Sequence, residues 1–146
     1  MYDTILIPFD GSDEARKGAN HGIDLAATCG ATVHALYVID LPGAPRTLYL
    51  RDDEDEMRER YHEYGEEVTT ELCEMASDAG VECTTAVRTG SPGEEIVDYA
   101  KEHDMGAIVL GSAYRGKFRA ILGSTAEKVV RTAESPVITV RQQMND

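Results

Sequence analysis

The sequence is short of lysine, of cysteine and of long hydrophobic runs, and each shortage narrows the reading. Lys and Arg together number 14 against 27 Asp and Glu in 146 residues, a net charge of −13. A field of that sign opposes non-specific binding to nucleic acid and to anionic membranes. No apolar run reaches the roughly 18 residues of a transmembrane helix, and Met1-Tyr2-Asp3 lacks the basic segment of a signal peptide. The expectation is a protein with neither a membrane nor a nucleic-acid partner. The cysteines, Cys29, Cys73 and Cys83, are odd in number and lack C-x-x-C spacing. They read as free buried thiols in a reducing cytosol rather than zinc ligands. The histidines His21, His34, His62 and His103 fall in no catalytic or metal spacing. There is no internal repeat and no low-complexity linker. The hydrophobic fraction of 42% is enough for a core, and the length fits a single domain over residues 1–146.

The basic residues are mostly arginine, ten Arg to four Lys. An acidic shell with few lysines suits a cytoplasm at molar salt, where a Debye length of about 3 Å screens self-repulsion. A halophilic, haloarchaeal origin is the expectation. An ordinary acidic bacterial protein is the competing reading.

Strand and helix patterns alternate along the chain. Residues 4–9 form a short apolar run, read as a buried strand. A helix is predicted over 12–29, with Ala15, Ala19, Ile23 and Ala26 inward and Gly30 closing it. Residues 32–39 read as the second strand and 41–50 as a loop. A helix over 53–79 carries Met57, Tyr61, Tyr64, Val68, Leu72, Met75 and Ala79 as one apolar stripe. The acidic run 52–56 then lies at its N-terminus, favoured by the helix dipole. Residues 81–87 read as strand three. Ser91-Pro92-Gly93-Glu94 and Ser124-Thr125-Ala126-Glu127 read as capping boxes opening two further helices, the second with Ala126, Val129, Val130 and Ala133 inward. Residues 106–110 and 136–140 read as strands four and five, with a frayed tail from Gln142. The fold class is α/β, a five-stranded, mostly parallel, doubly wound sheet with helices on both faces. Ligands of such sheets bind beyond the carboxyl ends of the strands. The loops at 9–12, 39–50, 88–92 and 111–124 are therefore the places to search.

The last of these is the most informative. Gly111, Gly116 and Gly123 let backbone amides approach a ligand. The following helix start offers unpaired N–H groups beside the Ser124 and Thr125 hydroxyls. Arg115, Lys117 and Arg119 add positive charge. These features indicate phosphate binding; turn glycines and a simple cap are the alternative. Gly111 to Lys117 fits G-x-x-x-x-G-K, yet Phe118 stands where a P-loop needs Ser or Thr for Mg²⁺, and no acidic strand end follows. A dinucleotide fingerprint after strand one is missing too. Ser12 and Ser112 have no evident His base, so nucleophilic catalysis is not indicated.

Five segments together resemble the universal stress protein (UspA) family: Ile5-Leu6-Ile7-Pro8-Phe9-Asp10-Gly11-Ser12, Leu36 to Asp40, Gly90-Ser91-Pro92, Ile108-Val109-Leu110-Gly111-Ser112, and Leu122 to Arg131 leading into Ser135 to Val140. The resemblance implies a sheet of order 3-2-1-4-5, a cytoplasmic homodimer paired through strand 136–141, and a stress-response regulator or binding module. It further implies an adenine nucleotide (ATP, ADP or AMP) as ligand, with Mg²⁺ or Mn²⁺ as the candidate companion ion. A nucleotide-free dimeric interaction module is the alternative, and slow ATP hydrolysis is the most that catalysis would amount to. Carried onto this chain, Asp10 and Val38 meet the adenine. Pro8, Phe9 and Gly111 line base and ribose, with Leu110 and Ser112 beside them. Gly123, Ser124 and Thr125 hold phosphates, and Arg115 and Gly116 supplement them. The chain departs from the family's glycine pattern at Tyr114, and the 11 residues between Gly111 and Gly123 are one too few for it. Phe9 is expected to narrow the pocket mouth.

Overall fold

The computed structural model describes residues 2–40, 51–115 and 122–144. Among them, strands and helices alternate as β1 (Thr4–Pro8), α1 (Asp13–Cys29), β2 (Thr32–Ile39), α2 (Arg51–Asp78), β3 (Cys83–Thr89), α3 (Pro92–Glu102), β4 (Ala107–Arg115), α4 (Ser124–Thr132) and β5 (Val137–Met144). The sheet runs β3-β2-β1-β4-β5, and every pair in it is parallel. This is the α/β fold and strand order expected, with the sheet wholly parallel rather than mostly so.

Alternation along the strands divides the core into two layers. Ile5, Ile7 and Phe9 of the first strand segment join Val33, Ala35 and Val109 against α1 and α2. Leu6, Leu36, Ile108 and Leu110 face α3 and α4. The predicted inner face of α1, Ala15, Ala19, Ile23 and Ala26, is buried. Small residues bring this helix very close to the sheet. A Cβ on Gly111 would lie 1.8 Å from the Glu14 carbonyl oxygen, and one on Gly18 would lie 2.6 Å from the Gly111 nitrogen.

Several expectations need correction. The stripe on α2 is only half core. Val68 and Leu72 are buried and Met75 is half-buried, whereas Met57, Tyr61 and Tyr64 are 43%, 39% and 41% exposed, Ala79 is exposed past the end of the helix, and Ala76, outside the predicted stripe, is buried. A helix of 28 residues is about 42 Å long, while the strands beneath it, of seven and eight residues, reach only about 25 Å. Periodicity marks a face; it does not say how far the sheet extends under it. Neither capping box forms. Ser91 occupies the N-cap without a side-chain bond, and Glu94 turns to Lys128, 3.8 Å away. The last helix starts one position early, so Ser124 lies in its first turn and Gly123 is the cap. Val130 on that helix is 48% exposed. Strands β4 and β5 outrun their predicted ends because they pair with each other from Ile108↔Val137 to Arg115↔Met144. Gln142 thus lies in a ladder and not in a frayed tail. The loop at 41–50 lies outside the described residues.

The cysteines also differ from expectation. Cys73, near the end of α2, and Cys83, opening β3, form a disulfide with Cα atoms 5.2 Å apart. The turn after α2 reverses the chain and brings β3 back beside the helix, a juxtaposition that spacing in sequence does not reveal. Cys29 is free and half-buried. No helix among the described residues is long and apolar enough to cross a membrane.

Candidate functional site

A cavity of about 340 Å³ opens at the carboxyl ends of β1, β2 and β4, within the size range of small-molecule sites. Its walls include ten of the sequence-derived candidates: Pro8, Phe9, Asp10, Val38, Leu110, Gly111, Ser112, Gly123, Ser124 and Thr125. Arg115 is placed only as the last residue of β4. Gly116 lies outside the described residues, as do Lys117, Phe118 and Arg119.

Three helices begin at this cavity. Ser12 caps α1, with its Oγ accepting from the Ala15 N–H at 3.3 Å. Pro92 opens α3, and Ser124 opens α4. The first turns of α1 and α3 already carry acidic pairs, Asp13 with Glu14 and Glu94 with Glu95. The start of α4 presents Gly123, Ser124 and Thr125, no side chain caps it, and the single acidic residue of its first turn, Glu127, is paired with Arg131 at 2.8 Å. Its amide donors and dipole are therefore the ones best placed for an anion.

Gly123 and Gly111 have different reasons to be glycine. Gly111 lies inside β4, not at the head of a loop, and its missing side chain is what lets α1 pack on the sheet. Gly123 has φ −60° and ψ 156°, which any residue adopts, and the nearest atom to a Cβ there is Ser112 Oγ at 3.8 Å. Neither backbone strain nor packing within the described protein requires a glycine at 123. Among the described residues that position borders the cavity, which Gly123 lines. Ser112 is 4% exposed; its Oγ accepts from the Gly123 N–H at 3.2 Å, tying the start of α4 to β4. Among the described residues its own proton finds no acceptor, so the hydroxyl is available to a ligand.

Asp10 follows β1 at the cavity rim. Its Oδ1 accepts from both the backbone N–H and the hydroxyl of Ser12, at 2.9 and 2.6 Å. Its backbone carbonyl accepts from the Tyr64 hydroxyl at 2.7 Å. Phe9 is a wall residue with little surface left exposed at the mouth. Phe9 is 2% exposed and packs into the core under α1 and α2, with the Arg16 guanidinium 5.7 Å from its ring centre. Sequence reasoning missed Glu14, Tyr37 and Ile96 as wall residues, while Ser12 and Pro92 lie in loops it had marked for search. The Tyr37 phenol is pushed up in pKa by burial first and by Tyr64 second, so it stays protonated and can donate. Among the described residues no group of three His, Cys, Asp or Glu could hold a metal ion.

The sequence matches the universal stress protein family over residues 1–141. The chain belongs to that family. It is 34% identical to a universal stress protein of Methanocaldococcus jannaschii, with 97% of this chain and 84% of that one covered. Among solved structures it is similar to universal stress protein UspA from Lactobacillus plantarum, at 29% identity and a TM-score of 0.84, covering 96% and 98% of the two chains. It is also similar to the universal stress protein from Archaeoglobus fulgidus solved in complex with dAMP, at 28% identity and a TM-score of 0.64, covering 94% and 97%.

Proposed function

We propose that this universal stress protein binds an adenine nucleotide in the cavity above β1, β2 and β4, and acts as a stress-response regulator or binding module, not as a fast enzyme. The observation that carries the reading is the start of α4. A glycine that nothing within the described protein requires faces cavity space there, beside uncapped amides and a buried hydroxyl. A phosphate group fits that cradle, with Ser124 and Thr125 beside it. The adenine end then falls toward Asp10 and Val38, with Pro8, Phe9, Leu110, Gly111 and Ser112 enclosing base and ribose. The dAMP complex of the Archaeoglobus fulgidus relative supports an adenine nucleotide as the class of ligand. Arg115 and Gly116 belong to the phosphate end of the proposal. Mg²⁺ or Mn²⁺, if it accompanies the nucleotide, would be held mainly by the phosphates, since the described walls supply no ligand cluster.

We place the protein in the cytoplasm, where such nucleotides are abundant, as a single-domain homodimer. Among the described residues strand β5 is the edge of the sheet, paired with β4 alone, and pairing with its copy through 136–141 would remove that edge.

The test is to purify the protein, denature it, chromatograph any released small molecule, and titrate the emptied and refolded chain with ATP, ADP and AMP. Near-stoichiometric binding is expected, and its loss in Gly123→Val with the melting temperature preserved. The backbone angles at 123 suit valine, so the substitution fills the cradle and spares the fold. An empty protein that also fails to bind added nucleotide would leave the nucleotide-free dimeric module as the function. Unchanged affinity in Gly123→Val would remove the start of α4 from the site.

A further inference from the structure

The upper half of α2 carries Tyr64, a large residue 41% exposed at a position the apolar stripe assigns to the core. Its hydroxyl spends its one proton on the backbone carbonyl of Asp10, 54 residues earlier in the chain. The next residue, Gly11, has φ +83°, and a Cβ on it would lie 2.8 Å from the Tyr64 hydroxyl oxygen. Glycine at 11 thus satisfies both the turn and the room the phenol needs. The carboxylate of Asp10 is fixed separately, through the two Ser12 bonds to Oδ1. The backbone is held from α2 and one carboxylate oxygen from α1. Among the described residues the second oxygen, Oδ2, accepts no bond. The Tyr64 ring is itself steadied edge-on by Tyr37, ring centres 5.5 Å apart, and Tyr37 lines the cavity.

We infer that Tyr64 is a positioning residue that aims the open oxygen of Asp10 at the purine base, and so sets the preference of the site for a 6-amino over a 6-oxo purine. This rests on the nucleotide reading above. A carboxylate only accepts hydrogen bonds. The 6-amino group of adenine can donate to it, whereas hypoxanthine presents an acceptor at that position and its donor, N1–H, one ring atom away, so a carboxylate held in place is matched to the first and not to the second. That discrimination depends on the oxygen being held in place. The exposed surface of Asp10 gives no packing to hold it, so the two clamps must.

The experiment measures dissociation constants for AMP and IMP, by calorimetry at fixed KCl, on the full chain and on Tyr64→Phe, Asp10→Asn and the double variant. Tyr64→Phe keeps the ring against Tyr37 and removes one oxygen. The wild type is expected to favour AMP over IMP by about tenfold or more, and Tyr64→Phe to lose about fivefold of that ratio, the worth of one net hydrogen bond. Asp10→Asn adds a donor and should lower the ratio too. The double variant should then match Asp10→Asn alone, because Tyr64 acts only through Asp10. All four proteins are compared well below their melting ranges, so a loss of stability does not enter the ratio. A Tyr64→Phe ratio equal to wild type, with or without a parallel loss of both affinities, would overturn the inference and leave Tyr64 as a docking contact for α2. Full additivity in the double variant would overturn it as well. Failure of the wild type to bind AMP at all would overturn the nucleotide reading instead.

Discussion

Reducing the Cys73–Cys83 disulfide should lower the melting temperature by an amount set by the short loop it closes. The bonded residues are 10 apart in sequence. Loop-closure entropy for that length is about 9 cal/mol/K, or about 2.7 kcal/mol at room temperature. An unfolding entropy of about 2.1 cal/mol/K for each of the 146 residues converts this to a fall of about 9 °C. The native packing beneath the bond survives reduction, because Leu72 and Ala76 on either side of Cys73 are fully buried by the sheet. The loss therefore comes from the unfolded chain. Cys73 and Cys83 are half-buried and line a surface depression with Ser77, Gly80 and Glu82, so the bond is expected to be open to a phosphine reductant. The assay is calorimetric melting at fixed KCl with and without reductant, beside the paired Cys73→Ser and Cys83→Ser variant. That variant should melt near the reduced wild type and ignore reductant. Thiol titration of the unreduced, denatured chain should find Cys29 alone. Three titratable thiols, or a wild-type shift under about 2 °C, would refute the reasoning.

Gly111→Ala should destabilise the fold by at least about 3 kcal/mol, since the methyl meets a backbone carbonyl that cannot move aside; a loss under about 1 kcal/mol in urea unfolding would show that α1 shifts freely. His34, whose Nδ1 lies 2.7 Å from the Tyr99 hydroxyl, has its pKa lowered by burial and then by neighbouring His103. The unfolded chain then binds the proton more readily than the folded one. The stabilisation is present above the unfolded value near ~6.5 and is lost as pH falls below it toward the lower folded value. His34→Gln should flatten the decline in melting temperature over that window, and equal slopes would remove His34 from the cause. With a net charge of −13, stability should rise steadily from low to molar KCl as self-repulsion is screened. A flat or falling curve would return the chain to ordinary acidic proteins.

Much of the architecture was legible because it follows from local pattern. Alternating apolar runs and helical stripes placed all nine elements, and the two-layer burial of the strands followed from their near-continuous hydrophobicity. What escaped was set by distance in space. The Tyr64–Asp10 bond spans 54 residues, and neither residue type announces the other. The reach of α2 beyond the sheet depends on strand lengths, which the β4–β5 pairing extended past their apolar cores into Gln142. Ser91 and Glu94 carry a capping-box spacing, yet Lys128 on a neighbouring helix draws Glu94 away. At the candidate site, the strand-end rule pointed to loops whose described residues Ser12 and Pro92 line the cavity. Tyr37 and Glu14 lie inside regular elements, where that rule does not look.

Two glycines that look alike in sequence show where pattern ends and geometry begins. Gly111 and Gly123 both stood out as candidates to admit a ligand's phosphates. For Gly111 the fold supplies a full reason, because a Cβ 1.8 Å from the Glu14 oxygen is impossible with α1 where it is. Its glycine would be needed in a protein that bound nothing. Among the described residues Gly123 has no such reason, with ordinary backbone angles and 3.8 Å from a Cβ to the nearest described atom. A glycine retained where an alanine would help order the chain in solution costs conformational entropy on folding. Function is the natural counterweight, and the open side of Gly123 faces the cavity. Among the described residues nothing else accounts for a glycine at 123, next to Ser124 and Thr125 at the start of α4, and the proposed nucleotide reading rests on that position.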